Sequence, residues 1–391
     1  MARVLLGWEL GDGLGHVSRL LPIALKLREA SHECLFAVRN LAAPFRTLEA
    51  QGFKVLQAPY AMVHRTKAPM GSLADILASV GFSDAEALLP LVQAWEDLAT
   101  TLKVDLIVAD YSPALCLSAL GKRPVVAIGD HFTLPSAQAD TFPPFTPGGR
   151  SHVDEKVLLE VVHQVQLERG APAPPNLPSV FAEARRFIVT LPEMHVNAAP
   201  DAGAQVVGPL ERLPRKTSRN PTDDYFGYLS WGAKGTAKVL RALAEAELRG
   251  SIYLRDATGA QRAELRQTGL VIHDQPQPLA RAISKARLLI HHGGLGTAQA
   301  GLSVGRPQLL VPRHKEQAMN AAVLRKLGVG VAMMSGGRFE VQHFHQALSH
   351  VSNEQKFAIQ AARLASDIAS RGRSTAVELV AEACLQMLPS R

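Results

Sequence analysis

The feature that most constrains the fold is a regular alternation of short apolar runs with longer helical patterns. Most of these runs are continuously apolar and do not alternate with polar residues. Strands that are apolar on both faces are typical of parallel sheets covered by helices on both sides. The runs are RVLLGWEL, HECLFAVR, VDLIVAD, PVVAIGD and RFIVTLP, followed by YFGYLSW, SIYLRD, GLVIHD, RLLIHH and PQLLVP. The pattern predicts an α/β protein with two doubly wound sheets.

A polar, proline-containing stretch at about 210–223 separates the two series of runs. With 391 residues, the chain is also longer than one ordinary hydrophobic core supports. We therefore predict an N-terminal domain at 1–210 and a C-terminal domain at 211–370. Within the first domain, the segments at about 60–90 and 134–180 are expected to be loops that either shape a pocket or form surface insertions.

Composition narrows the class of protein. Hydrophobic residues make up 47% of the chain, charged residues make up 20%, and no apolar run reaches the roughly 18 residues of a membrane span. The net charge of +7 suits an anionic ligand or peripheral contact with an acidic membrane, but no dense basic block indicates nucleic-acid binding. The N-terminus becomes glycine-rich too early for a secretory signal, so a cytoplasmic protein is expected. Cys34, Cys116 and Cys384 show no metal-ligand spacing and are interpreted as buried apolar residues.

A glycine-rich turn follows the run RLLIHH. The glycines allow the backbone to come close to a ligand, and the first N–H groups of a helix that starts there favour a phosphate. A strand ending at His292 would place this imidazole within reach of the same phosphate. Adjacent side chains of a strand point to opposite faces, so His291 and His292 are not expected to share a metal ion. The predicted donors of this turn are Gly293, Gly294 and Gly296, together with Thr297, which opens the helix.

An acid and an amide follow the next apolar run. The run PQLLVP predicts a strand that ends at Pro312, and Glu316 and Gln317 are expected in the loop after it. Such a pair can accept and donate hydrogen bonds to sugar hydroxyls, although most such dipeptides are only solvated surface.

A second glycine-rich turn, GWELGDGLGH, ends the first apolar run. The residues after it predict a helix that begins near Ser18, with Pro22 in its first turn and His16 at its mouth. A dinucleotide-binding turn is an alternative, but the glycine spacing fits it poorly and HECLFAVRN has no acid at the end of the second strand.

Residues 278–321 resemble the donor-site signature of the GT-B glycosyltransferases, in particular the UDP-glycosyltransferase-like family of bacterial antibiotic and macrolide enzymes. That signature has a proline, a hydrophobic strand, H-G-G-x-G-T, G-x-P, V-P, an acid-glutamine pair and N-A. The matching residues are Pro278, His292, Gly293, Gly294, Gly296, Thr297, Gly305, Pro307, Val311, Pro312, Glu316, Gln317, Asn320 and Ala321. The resemblance implies two Rossmann-like domains facing a central cleft, and a terminal helical segment, 371–391, that packs back on the N-terminal domain.

The resemblance also implies roles for these residues. In the family, the histidine and the Gly-Thr turn hold the donor diphosphate, and the acid-glutamine pair holds the donor sugar. The segment LSWGAKG resembles the phosphate loop, but Ala233 replaces the usual serine or threonine, and Ser230 and Lys234 stand nearby. The segment HDQPQPL has Pro276 and Gln277 where many relatives stack an aromatic residue on the base. Uridine and deoxythymidine donors therefore both stay open.

The turn before His16 is similar to the family's N-terminal loop, whose histidine is the general base. An ordinary histidine has a pKa of about 6.5, which suits proton removal near neutral pH. The family pairs this base with an acid after a later strand, and Asp110 stands at the expected strand tip. His16 as a helix cap or phosphate ligand, and Asp110 as an N-cap, stay open. The segment IGDHFTLP places Asp130 and His131 at another strand end, where His131 is an acceptor-site candidate.

Together these features predict an inverting, metal-independent hexosyltransferase. It would move a sugar from a UDP- or dTDP-sugar, a co-substrate and the only cofactor-like group implied, to a hydroxyl of a small-molecule, glycan or lipid acceptor. A nucleotide-sugar 2-epimerase and a non-catalytic nucleotide-sugar-binding partner are the alternatives. The acceptor and the choice between monomer and homodimer are not predicted.

Overall fold

The structure is a computed structural model that describes residues 1–11, 13–42, 44–60, 70–146, 148–195, 203–215, 220–372 and 375–389. Parts of the loop expected at 60–90 and of the boundary expected at 210–223 lie outside the described residues. The chain divides into two compact units. Unit 1 comprises Met1–Glu211 with Ser374–Arg391, and unit 2 comprises Arg212–Arg373.

The described part of unit 1 contains seven parallel strands in the order β3-β2-β1-β4-β5-β6-β7. The central strands β1, β4 and β5 are buried on both faces, which explains their continuous apolar sequence. The strands are β1 Arg3–Trp8, β2 Glu33–Val38, β3 Lys54–Gln57, β4 Leu106–Asp110, β5 Val125–Gly129, β6 Arg185–Ile188 and β7 Ala204–Val206. The helices are α1 Gly15–Glu29, α2 Pro44–Glu49, α3 Leu73–Leu77, α4 Ala85–Thr101, α5 Pro113–Ala119 and α6 Glu155–Glu168.

Unit 2 contains six parallel strands within its described residues, in the order β10-β9-β8-β11-β12-β13. The strands are β8 Asp223–Ser230, β9 Gly250–Arg255, β10 Ile272–His273, β11 Ala286–His291, β12 Gln308–Leu310 and β13 Gly330–Ala332. The helices are α7 Thr236–Glu245, α8 Gly259–Gln267, α9 Leu279–Lys285, α10 Leu295–Val304, α11 Lys315–Lys326, α12 Val341–Asn353 and α13 Gln355–Ser370. A last helix, α14 Ala376–Met387, belongs to unit 1 and packs against α1.

Two parallel, helix-covered sheets confirm the predicted α/β class with two Rossmann-like units. Three short edge strands, β3, β7 and β13, carry no signal in the sequence because they are too short for a periodic pattern. The three cysteines are buried and free, as predicted. Among the described helices, none has the length and apolar character needed to cross a membrane.

Helix α1 begins earlier than the sequence predicts. It starts at Gly15 and not near Ser18, so Pro22 lies inside the helix and not in its first turn. Proline removes one helical hydrogen bond and crowds the preceding turn. Leu20 and Ile23, on either side of Pro22, are fully buried in the core, and this packing offsets the lost bond.

In unit 2, strand β12 ends at Leu310, two residues before the predicted Pro312. Helix α10 begins at Leu295, so Thr297 is its third residue and does not open it. Glu316 and Gln317 lie in the first turn of α11 and not in a loop. These shifts of two residues are typical where a strand, a tight turn and a helix follow one another without a capping side chain.

Candidate active and donor sites

Each sheet has one position where the strand order reverses. In unit 1 this position lies between β1 and β4, and in unit 2 it lies between β8 and β11. Open parallel sheets bind ligands beyond the carboxyl ends of the strands at this position, because the connecting helices leave a crevice there. The predicted base follows β1, and the predicted phosphate turn follows β11.

His16 and Asp110 are in direct contact in unit 1. The Nδ1 atom of His16 lies 3.0 Å from Oδ2 of Asp110, and both side chains are buried. The register pairs Trp8 at the end of β1 with Asp110 at the end of β4, so the sheet itself aligns the glycine turn with the acid. A carboxylate only accepts hydrogen bonds, so Nδ1 carries the proton and Nε2 keeps a lone pair. This arrangement is that of a general base and the acid that orients it.

The space beside the free nitrogen is held open by a glycine. A Cβ atom at Gly11 would lie 2.7 Å from Nε2 of His16, and Gly11 has a φ of +85°, a conformation that other residues rarely adopt. Trp8 stacks on the imidazole at a centroid distance of 5.0 Å, and Tyr111 stacks at 6.1 Å. The ring is therefore fixed in orientation while its Nε2 side stays free of a side chain at position 11.

Two further charged residues, Arg19 and Asp130, lie next to this pair. The sequence analysis gave Arg19 no role. Arg19, one turn after His16 on α1, places Nε 3.3 Å from Oδ2 of Asp110. Its NH1 lies 3.5 Å from Oδ2 of Asp130, which follows β5. The sequence analysis missed Arg19 because most arginines in helices are solvent-exposed. The available signal is its position three residues after His16, which places the two side chains on the same face of a helix.

Asp130 is held as a carboxylate. Burial alone would raise its pKa, but the Arg19 guanidinium, His131 and two main-chain N–H donors together lower it below its ordinary value. Those donors are Phe132 and Thr133, both bonded to Oδ1. His131, the predicted acceptor-site residue, is half-buried next to Asp130.

Glu9 and Glu211, which lie near this cluster, have raised pKa values. Burial raises the pKa of Glu9 to about 8, although the N–H groups of Ala114 and Leu115 bond its Oε2 and oppose the shift. Glu9 thereby ties the turn after β1 to the start of α5, next to Asp110. Burial also raises the pKa of Glu211, which lies close enough to Arg19, Asp110 and His16 to interact with their charges.

His292 takes a different position from the one predicted. Its Nδ1 donates to the Val311 carbonyl at 2.8 Å, and its Nε2 accepts the Ser230 N–H at 2.9 Å. Burial, together with nearby cations including Arg313, lowers the pKa of His292 to about 4, so the ring is neutral at pH 7. Because its only N–H is already donated, His292 has no proton to give a phosphate in this arrangement. It instead ties the ends of β8, β11 and β12 together.

A cationic side chain that was not predicted lies at this point. Arg313 follows β12 and donates from NH1 to Oγ of Ser230 at 3.1 Å. The predicted Ser230 is buried, whereas the predicted Lys234 is exposed in the turn after β8. Arg255 at the end of β9 is also near enough to influence His292. The carboxyl edge of unit 2 therefore carries several positive charges, which suit an anionic ligand.

The glycine turn of unit 2 is held by a second buried histidine. Nε2 of His291 bonds Oε1 of Gln308 at 2.8 Å, and its Nδ1 accepts the Gly293 N–H at 3.1 Å. Asn320 donates to the Gly293 carbonyl at 3.0 Å. Burial lowers the pKa of His291 to about 4, so this ring too is neutral. His291 and His292 thus engage different partners, each fixing part of the turn.

The turn leads into a helix without a capping side chain. Gly293 has a φ of +92°, and a Cβ there would lie 2.8 Å from the Gln317 carbonyl oxygen, so the turn and α11 need a glycine at this position. Gly294 is the N-cap of α10 and makes no side-chain cap hydrogen bond. The first N–H groups of a helix have no partner within it, so those of Leu295, Gly296 and Thr297 are oriented for an anion.

The remaining predicted donor residues lie at the same edge of the sheet. Glu316 and Gln317 are half-buried in the first turn of α11, and Oε1 of Gln317 accepts the Arg313 N–H at 2.9 Å. Pro276 and Gln277 follow the edge strand β10. Pro276 is exposed, and the Gln277 side chain donates to the Gln275 carbonyl.

The C-terminal part of the chain matches a known protein family. Residues 261–387 match the family described as erythromycin biosynthesis protein CIII-like, C-terminal domain. The match includes the glycine turn, Arg313 and the acid-amide pair, and it confirms the resemblance to macrolide-type enzymes. The C-terminal part of the chain is therefore similar to the donor-binding part of these GT-B enzymes.

Solved structures agree over nearly the whole chain. The calicheamicin glycosyltransferase CalG4 has a TM-score of 0.70 and 19% identity, with 99% of this chain and 98% of that chain covered. The spinosyn rhamnosyltransferase SpnG, complexed with thymidine diphosphate, has a TM-score of 0.66 and 17% identity, with 98% and 100% covered. At this level of identity the similarity establishes the GT-B fold of the chain and nothing more.

Curated relatives match over a shorter range. An uncharacterized protein of Mycobacterium bovis, Mb1553c, is 28% identical over 180 residues, which are 42% of this chain and 38% of the relative. A sterol 3-beta-glucosyltransferase of Aspergillus oryzae is 25% identical over 182 residues, which are 44% of this chain and 13% of the relative. The chain therefore spans well under half the length of these relatives.

Proposed function

We propose that this protein is an inverting glycosyltransferase. It moves a hexosyl group from a UDP- or dTDP-sugar to a hydroxyl of a small-molecule, glycan or lipid acceptor. The observation that carries the proposal is the imidazole of His16, which holds Asp110 at 3.0 Å through Nδ1 and leaves Nε2 beside Gly11. Relatives described as a glucosyltransferase and a rhamnosyltransferase support the same class of reaction.

In the proposed reaction, Nε2 of His16 takes the proton of the acceptor hydroxyl. The hydroxyl oxygen then forms a bond to the anomeric carbon from the side opposite the nucleotide. The bond between that carbon and the diphosphate oxygen breaks, and its electron pair leaves with the nucleoside diphosphate. Asp110 stabilises the imidazolium that forms, because it is a buried carboxylate at hydrogen-bond distance.

Unit 2 supplies the donor site in this proposal. The free N–H groups of Leu295, Gly296 and Thr297 bind the diphosphate, and Arg313 and Lys234 neutralise it, so that no metal ion is required. Glu316 and Gln317 select the sugar, and Pro276 with Gln277 covers the base. A thymidine diphosphate complex of SpnG supports a nucleoside diphosphate as ligand. His292 contributes by holding Ser230 and the end of β12 in place.

Binding and transfer can be measured separately. A panel of nucleotides and nucleotide sugars is screened by thermal shift, and a ligand at 100 times its Kd should stabilise the protein by about 2.7 kcal/mol. Donors that bind are then incubated with an acceptor mixture, with and without a chelator, and the anomeric configuration of the product is read by NMR. Stabilisation without transfer to any acceptor would favour a non-catalytic binding partner, and a change of configuration in the free donor would favour an epimerase.

A further inference from the structure

Arg19 is the one basic residue that touches both the imidazole and its acid in unit 1. Its NH2 lies 3.2 Å from Nδ1 of His16, and its Nε lies 3.3 Å from Oδ2 of Asp110. The guanidinium is about nine-tenths buried, with a side-chain exposure of 10%. A buried arginine needs anionic partners, and here it has two, Asp110 and Asp130.

Asp110 and Arg19 both contact Nδ1 of His16 and favour different positions of the ring proton. Oδ2 of Asp110 also lies close to both Nδ1 of His16 and Nε of Arg19. If Arg19 donated to Nδ1, the ring proton would sit on Nε2, and the ring would not accept a proton from a hydroxyl. Oδ2 of Asp110 lies closer to Nδ1 than Nη2 of Arg19 does, at 3.0 Å against 3.2 Å, and a bond from the ring to a carboxylate is charge-assisted, so the bond to Asp110 is favoured. The Nδ1 proton then belongs to the bond with Asp110.

The charges around His16 come from every neighbouring element. Asp110 and Tyr111 follow β4, Asp130 and His131 follow β5, Arg19 lies on α1, and Glu211 lies beyond β7. Two buried carboxylates without a cation would strongly favour an imidazolium, which cannot act as a base. The Arg19 guanidinium offsets one of these two negative charges.

We propose that Arg19 is a positioning residue for the base: by pairing with both Asp110 and Asp130, it holds His16 as a neutral imidazole with its proton on Nδ1. The inference rests on the proposed function for its biological meaning, but the charge state and tautomer of His16 are measurable without any substrate. Arg19 acts through His16 and Asp110 and does not itself contact the reacting atoms.

The test is a titration of the His16 ring by long-range ¹H–¹⁵N NMR on ¹⁵N-histidine-labelled protein, with the His16→Gln variant to assign its signals. The wild-type protein should show the Nδ1–H tautomer at pH 8. Arg19→Gln should raise the midpoint of His16 by about one pH unit or more, since it removes a cation within 4 Å. Asp130→Asn should lower the midpoint, and the double variant Arg19→Gln/Asp130→Asn should return it towards the wild-type value.

A matched control removes the same charge from the same helix. Arg28 lies at the other end of α1, and its guanidinium donates to the Gln51 carbonyl. Arg28→Gln should therefore leave the His16 midpoint unchanged. If Arg19→Gln does not fold, Asp130→Asn alone still tests the direction, and Arg19→Lys tests whether a cation of different shape suffices. An unchanged midpoint in a folded Arg19→Gln protein, or a double variant whose midpoint stays as high as that of Arg19→Gln, would overturn the inference.

The activity measurement separates this inference from the proposed function. If both hold, the acidic limb of the pH profile of kcat/KM should move with the His16 midpoint in each variant. If the midpoints move as expected but no donor and acceptor give a product, the proposed function fails and the role of Arg19 stands. If transfer occurs and the acidic limb of its pH profile does not shift in the Arg19 and Asp130 variants, only the inferred role of Arg19 is refuted.

Discussion

His16 and His292 occupy comparable places in the two units and differ in what their rings are free to do. Each lies beyond the carboxyl end of a central strand, next to the position where strand order reverses, and each adjoins a glycine turn. His16 gives one nitrogen to Asp110 and leaves Nε2 beside Gly11. His292 gives both nitrogens to the main chain at Ser230 and Val311. One nitrogen of His16 is therefore left beside Gly11, as the proposed base requires, whereas the His292 ring links three strand ends.

The charged groups around the two rings also differ. His16 lies among carboxylates and one arginine, where a proton can be accepted and stabilised. His292 lies among cations and is buried, which lowers its pKa to about 4 and keeps it neutral. In the proposed function, unit 2 therefore binds the diphosphate through main-chain N–H groups and through arginine and lysine side chains. A histidine in a signature motif is thus not by itself evidence of contact with the ligand.

The largest expected effect separates the two histidines directly. His16→Gln should reduce transfer by about 10²–10⁴-fold, because it removes the base, while the affinity for UDP or dTDP stays within a factor of two or so of wild type. His292→Gln should instead lower the stability of unit 2 and weaken nucleotide binding. Both constants are measured by calorimetry and steady-state kinetics on the same preparations. Loss of transfer in His292→Gln with unchanged stability and affinity would break the comparison.

The two units should also respond to pH in opposite directions. His291 and His292 have pKa values of about 4 when folded and about 6.5 when unfolded, so unit 2 is most stable above pH 6.5 and loses stability as the pH falls towards 4. Each ring contributes roughly 3 kcal/mol over that window. Glu9 and Glu155 have raised pKa values of about 8 and about 7, so the stability that they contribute to unit 1 is fully present below about pH 4.5 and is lost as the pH rises to 7 and 8.

Hydrogen exchange followed by mass spectrometry measures the pH dependence of stability for each unit in one sample. Between pH 5 and pH 8, after correction for intrinsic exchange rates, protection of β4 and β5 should fall while protection of β11 and β12 rises. Glu9→Gln should flatten the slope in unit 1 without altering unit 2. Parallel slopes in the two units would show that the buried carboxyl groups and the buried imidazoles do not control stability.

The sequence predicted the architecture well because the central strands are buried on both faces and carry a continuous apolar signal. It also predicted the contact of His16 with Asp110, since a family motif and a strand end together specify that pair. It did not give a role to Arg19, nor did it find Arg313, because a charged side chain has no periodic signal and its burial depends on tertiary packing. The role of His292 was missed for a related reason: the partners of its two nitrogens, Ser230 and Val311, lie far away in sequence.

The glycine beside the base is expected to have an intermediate effect. Gly11→Ala places a methyl group 2.7 Å from Nε2 of His16 and strains a residue with a φ of +85°, so transfer should fall by about tenfold or more. Gly15→Ala is the matched control, because no atom lies within 4 Å of its Cβ and the residue is helical. It should retain activity and, if anything, stabilise α1. Equal losses in both variants would indicate a general effect of the turn and not access to Nε2.

The smallest effect concerns the acid of the donor signature. Glu316 is half-buried in the first turn of α11, two residues from the end of the loop that carries Arg313. In the proposed function, this carboxylate accepts hydrogen bonds from sugar hydroxyls, whereas α10 and the cations bind the nucleoside diphosphate. Glu316→Ala should therefore change the ratio of kcat/KM between two donor sugars by a few-fold to about tenfold, since a typical hydrogen bond contributes about 0.5–1.5 kcal/mol net.

The affinity for the free nucleoside diphosphate is the internal control in that experiment. It should stay unchanged in Glu316→Ala and fall in Arg313→Gln, which removes a cation from the proposed diphosphate site but leaves the sugar contacts intact. An unchanged donor profile in Glu316→Ala, with normal transfer, would assign the acid to the surface and move sugar selection to another element of unit 2. Reduced nucleotide affinity in the same variant would instead show that Glu316 acts by holding the first turn of α11, as His292 holds the neighbouring strand ends.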